Sequence, residues 1–152
     1  MKKFILIPLV LLFLVGVYFL VGTKKATVTN QIPQISTDIF LPLLNENVKA
    51  MEDENIDLYM KAVHPSSPSY AQSRKQAEEL FAKYDLDVNL DSIKVISATN
   101  DEIVIEVVQT TKRIGGAEDF KNTKTTARHT LRKDGDTWKI YSTAIQDIGY
   151  IN

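Results

Sequence analysis

The stretch from His129 to Ile145 constrains this chain more than any other. It reads as a β-hairpin. Asp134-Gly135 supplies two residues that tolerate positive φ, as a tight type I′ turn requires. On the incoming strand Ala127, His129 and Leu131 share one face, with Arg128, Thr130 and Arg132 on the other. On the outgoing strand Trp138, Ile140 and Ala144 alternate with Lys139, Tyr141 and Thr143. Such period-two patterning predicts one buried and one wet face, with Trp138 in the core. Two strands alone are marginal in water, so the residues upstream must cover the apolar face.

Those residues read as helix. Phe40, Leu44, Val48 and Met51 recur at spacings of four and three, on one helical face. Asp53 or Asn55 caps a second helix carrying Ile56, Tyr59, Met60 and Val63. His64-Pro65 ends it, because the residue before proline resists helical geometry. Ser67-Pro68 starts a third, which is expected to run to about Tyr84 with Ala77, Leu80 and Phe81 inward. After Asp85 the period changes from helix to strand. Ile103 to Val108 is apolar on both faces except for Glu106, the pattern of a central strand covered on both sides. Residues 114–120 read as a loop, with Gly115-Gly116 as a turn. Helices first and strands afterwards indicate an α+β domain, three helices on a strongly curved, largely antiparallel sheet of four or five strands.

Ahead of this domain lie Met1-Lys-Lys and then residues 4–22, almost wholly apolar and without charge. A helix of that length spans about 28 Å, close to the hydrocarbon thickness of a bilayer. It is expected to be either a transmembrane anchor, with Lys2 and Lys3 kept in the cytoplasm, or a cleaved signal segment. The first reading gives a single-pass cell-membrane protein with its C-terminal domain outside, the second a secreted one. Residues 23–37 are polar and aperiodic, a linker. Residues 38–152 suffice for one compact domain.

Two segments resemble a known family. Residues 55–65 look like the second helix of the nuclear transport factor 2-like fold, a cone-shaped α+β barrel, and residues 129–140 look like its two last strands. The resemblance covers nearly the whole of 38–152, and the apolar segment would make this a membrane-anchored, bacterial-type member. It implies the cone and a pocket within it. The superfamily includes isomerases, dehydratases and hydrolases alongside members without known catalysis, so resemblance alone implies no reaction.

The chemistry-bearing residues are few. His129, on the apolar hairpin face, is either a base or ligand anchor in the cone or a buried histidine satisfied by a polar neighbour. Glu106, the one charge in the apolar strand, is either a proton-transfer group with a raised pKa or a solvated or arginine-paired carboxylate. Tyr59 and Tyr141 could hydrogen-bond a ligand or belong to core and rim. His64, at a helix C-terminus, suits the dipole.

There is no cysteine, and neither a metal-ligand spacing nor a phosphate-binding loop occurs, so no metal or cofactor is called for. Residues 23–110 carry 8 basic against 14 acidic side chains, whereas residues 111–152 carry 8 against 5. Arg128, Arg132 and Lys139 place this positive charge on the last strands. It suits an anionic envelope polymer or an acidic protein partner, or it is an ordinary solvated face. The net negative domain and the lack of interleaved aromatics exclude nucleic acid. The same sheet offers a route to a homodimer. These features lean toward a membrane-tethered, non-catalytic module that binds a protein, polymer or small ligand. A small-molecule isomerase, dehydratase or hydrolase is the alternative.

Overall fold

The computed structural model describes residues 35–151. The apolar run 4–22 and nearly all of the linker lie outside them. No helix among the described residues is long and apolar enough to cross a membrane.

A short 3-10 turn, Thr37–Ile39, delivers Phe40 to the start of helix α1, Leu41–Glu52. Phe40 is fully buried and, with Leu44, packs on Ile103, Ile105, Val107, Leu131 and Ile140 of the sheet. At the far end of α1, Ala50 and Met51 join a second cluster. Helix α2, Ile56–Ala62, begins at Asn55, whose side chain accepts the Leu58 N–H at 2.9 Å, as the sequence predicts. Its Tyr59 and Met60 meet Leu80 and Phe81 of helix α3, Tyr70–Phe81, over Tyr84, Leu86 and Val88. The Tyr59 and Phe81 rings meet edge to face, centroids 5.9 Å apart. Helix α3 is shorter than its sequence suggests. Ser67 and Pro68 lie in a turn, Ser69 is the N-cap, and Tyr84 already belongs to the sheet.

The sheet has four strands: β1 Tyr84–Ala98, β2 Glu102–Gly116, β3 Thr123–Asp134 and β4 Thr137–Tyr150. All pair antiparallel in chain order, which the short connections require. The helices cover one face. Strand β2 is interior, as expected, but it is not buried on both sides. Ile103, Ile105, Val107, Gln109 and Thr111 are buried on the inner face, whereas Val104, Glu106 and Val108 are half-exposed on the outer face. Nor does β2 stop before the glycines. Gly115 pairs with Asp85 and Gly116 with Tyr84. Gly116 has φ +75°, and a Cβ there would collide with the carbonyl of Lys83, so glycine lets the end of β2 close onto the start of β1.

The hairpin differs from the sequence reading in two ways. Asp134 pairs with Thr137, so the turn residues are Gly135 and Asp136. Only Gly135 has positive φ, the preference of a type II′ turn rather than I′. Strand β4 also carries two bulges, with Tyr141 and Gln146 left out of the register. Each inserts one extra residue into the alternation. Ile140, Thr143 and Ile145 therefore face the helices and Ala144 faces out, the reverse of the simple alternation for Thr143 and Ala144.

Trp138 is half-buried at the edge of the core, its ring 5.3 Å below the Lys133 ammonium. Trp138→Ala should therefore cost roughly 1–2 kcal/mol in a urea melt, below the ~3–5 kcal/mol of a fully buried aromatic. A loss above that upper range would put the indole inside the core.

Candidate functional site

The two faces of the sheet separate the sequence candidates. His129 lies on the inner face, in a row with Ile105 of β2 and Thr143 of β4. The bulge at Tyr141 is what turns Thr143 inward, and its Oγ1 lies 2.7 Å from His129 Nδ1. The imidazole has no solvent exposure, and burial pushes its pKa down to about 4. It is neutral near pH 7 and enclosed. Tyr59 is buried too, its phenol pushed up to about 12 by the same desolvation, and its ring serves the core. Farther along this face the interior turns polar. Gln109, Thr111, Thr123 and Thr125 are all buried, with Gln109 Nε2 donating to Thr111 Oγ1 at 3.0 Å.

Glu106 lies on the opposite face, where Arg128 Nε donates to its carboxylate at 3.0 Å. Arg132 reaches Glu102 through Nε and Nη2 at 2.9 and 2.8 Å, and Lys139 reaches Asp134 at 2.6 Å. The Lys139 ammonium holds the Asp134 carboxyl below the usual carboxylate range. The expected bare basic patch is thus a ladder of opposite charges, because antiparallel register sets Glu106 beside Arg128 and Glu102 beside Arg132. Exposed pairs of this kind add little stability, but they leave the face with little net charge.

Tyr141, the bulged residue, lies under the Arg132 guanidinium at 3.8 Å and edge-on to His64 at 5.6 Å. His64 is not a bare helix-end cation. Its Nδ1 accepts the Ser66 N–H at 3.0 Å, which leaves Nε2 to donate to the Lys133 carbonyl at 3.1 Å. Its backbone N–H meets Ile140 O at 2.8 Å, so the exit of α2 is sewn to the hairpin. Among the described residues no three His, Asp or Glu side chains gather as a metal site would need.

The sequence reading does not anticipate the concavities of the surface. An open cleft of about 460 Å³ lies where the β2–β3 connection meets the end of β4, lined by Arg113, Phe120, Lys121, Asn122, Tyr150 and Ile151. Its signal in sequence was slight: Arg113 and Lys121 were two of eight positive charges in residues 111–152, and Tyr150 stands alone near the end.

Comparison with known proteins now bears on this geometry. The model of the family described as anti-sigma-I factor RsgI9, C-terminal domain, matches residues 42–151. The anti-sigma-I factor RsgI9 of Acetivibrio thermocellus is 32% identical over 94 residues, 61% of this chain and 13% of that protein. The chain thus spans about an eighth of the length of this relative. Among solved structures, a nuclear transport factor 2-like superfamily protein of Salmonella enterica superposes with TM-score 0.60 at 12% identity, covering 72% of this chain and 89% of that one. A protein of unknown function of the same kind from Shewanella oneidensis superposes with TM-score 0.58 at 15% identity, covering 73% and 98%. Likeness at such identities concerns the fold alone, and the fold is nuclear transport factor 2-like, as the two quoted segments suggested.

Proposed function

This chain belongs to the family of the anti-sigma-I factor RsgI9 C-terminal domain, and from that premise we propose that residues 38–152 are a non-catalytic binding domain. Residues 4–22 hold it at the outer side of the cell membrane, and residues 23–37 tether it. Its part in an anti-sigma system is recognition of a protein, envelope polymer or small ligand outside the cytoplasm. One observation carries the non-catalytic reading. The two side chains best suited to proton transfer lie on opposite faces of the sheet, Glu106 committed to Arg128 and His129 enclosed beside Thr143. Catalysis asks for such a group within hydrogen-bond reach of substrate.

Protease added to intact cells should remove a C-terminal epitope while the untreated full-length chain sediments with membranes. A protected epitope would reverse the orientation, and a shortened chain in the medium would replace the anchor by a signal segment. Glu106→Gln keeps the shape and removes the acid. A small-molecule turnover that this variant abolishes would overturn the non-catalytic reading in favour of an enzyme.

A further inference from the structure

We infer that the cleft between Arg113, Phe120, Lys121 and Tyr150 binds a carboxylate carried on a six-membered ring, Arg113 and Lys121 taking the carboxylate and the aromatics one face of the ring. The inference names a ligand class for the binding domain proposed above and rests on that reading. The chain has four arginines. Arg74 holds Asp57 and Glu78, Arg128 holds Glu106, and Arg132 holds Glu102. Arg113 alone has no carboxylate among the described residues; its Nη1 donates to the Gly116 carbonyl at 3.3 Å. In a protein that pairs its other guanidiniums with acids, this one stands in a concavity with most of its donor fork uncommitted among the described residues. The planar fork matches a carboxylate in two parallel hydrogen bonds. Lys121 adds a second cation with no acidic partner among the described residues, its Nζ 5.4 Å from the centre of the Tyr150 ring.

The apolar side of the cleft is aromatic. Tyr150 is 54% exposed, unusual for a large side chain on this domain, and Phe120 also lines the cleft. An aromatic ring, or the C–H face of a pyranose, can lie against such a surface while its charged substituent reaches the arginine. The volume, about 460 Å³, leaves room for a ring with its acid substituent.

The walls are already set. Arg113 N–H donates to Asn122 Oδ1 at 2.9 Å, and Asn122 O accepts the Ile151 N–H at 3.0 Å, tying three separate pieces of chain together. Ala117 N–H is held by Lys83 O, and the Phe120 ring packs on Tyr84, whose hydroxyl donates to Asp119 at 2.9 Å. Asp119 is therefore occupied outside the cleft. A ligand need not order this loop, which removes one cost of binding.

The ring acid could be a sugar acid or an aromatic acid. Titration calorimetry on the full-length chain in detergent, with galacturonate, benzoate, acetate and neutral galactose as probes, distinguishes them. Galacturonate or benzoate should bind at least tenfold more tightly than acetate and galactose, and whichever is tighter names the source. Arg113→Gln should weaken that binding about tenfold or more, and Tyr150→Ala several-fold, with melting temperature unchanged in both. Affinity for both galacturonate and benzoate no greater than for galactose, or binding indifferent to Arg113→Gln, overturns the site. Acetate binding as tightly as the ring acids, with Tyr150→Ala silent, overturns the ring. Failure of every acid probe sinks the ligand class while the protease result still decides the placement of the domain.

Discussion

Lowering the pH from 6.5 to 4 is expected to remove about 3 kcal/mol of folding stability through His129 alone. The imidazole's folded pKa, about 4, lies below its unfolded value of 6.5. Between those values the unfolded chain takes up a proton that the folded chain refuses, so stability is complete above the window and falls as acid is added. Burial causes the shift, and the enclosed row Ile105–His129–Thr143 is where it arises. Asp91, lowered by Thr110 and Lys124, and Asp134, lowered by Lys139, act in the same sense but only at more acid pH, and both are too exposed to contribute much. Urea melts at pH 7, 5.5 and 4 should show the decline, and His129→Gln should flatten it, whatever that variant costs at pH 7. A decline of equal slope in the variant would assign the effect elsewhere.

Phe40→Ala should cost about 3–5 kcal/mol, as large-to-small changes at filled core positions do. Phe40 is fully buried, and with Leu44 it packs against the sheet. Losing it leaves a void against Ile103, Ile105 and Leu131 and frees the start of α1, whose N-cap it occupies without a side-chain hydrogen bond. A denaturant midpoint shifted less than that of Trp138→Ala would show that the core is centred on the hairpin tip instead. The comparison is pointed because the sequence favours the other order. Tryptophan within an alternating strand looks like the anchor, whereas Phe40 looks like one apolar residue among several on a helix.

What could be read without coordinates was whatever depends on neighbours along the chain. The helical stripe of α1, the Asn55 cap, the halt at His64-Pro65 and the change of period after Asp85 are all local. What could not be read depends on register. Whether Glu106 meets solvent, substrate or Arg128 is decided by a partner 22 residues away, and Glu102 finds Arg132 across 30. The inward turn of Thr143 requires knowing that Tyr141 has no opposite number on β3. The cleft is harder still, since Arg113, Phe120 and Tyr150 come from a strand end, a connection and the last strand. Charge asymmetry counts Arg113 among the positive residues of 111–152 but singles out Arg128, Arg132 and Lys139, three cations already paired with acids.

The two bulges of β4 also bear on how such a chain can change length over generations. Removing one residue from an ordinary position in a strand rotates everything beyond it by half a turn and exchanges inside for outside. Tyr141 and Gln146 are the positions where this does not happen, because each is already surplus to the pairing with β3. Deleting either leaves Ile140, Thr143 and Ile145 facing the helices. The loss of Tyr141 removes only the stack between Arg132 and His64. Single-residue deletions among descendants of this strand should therefore gather at those two sites and spare the residues between them.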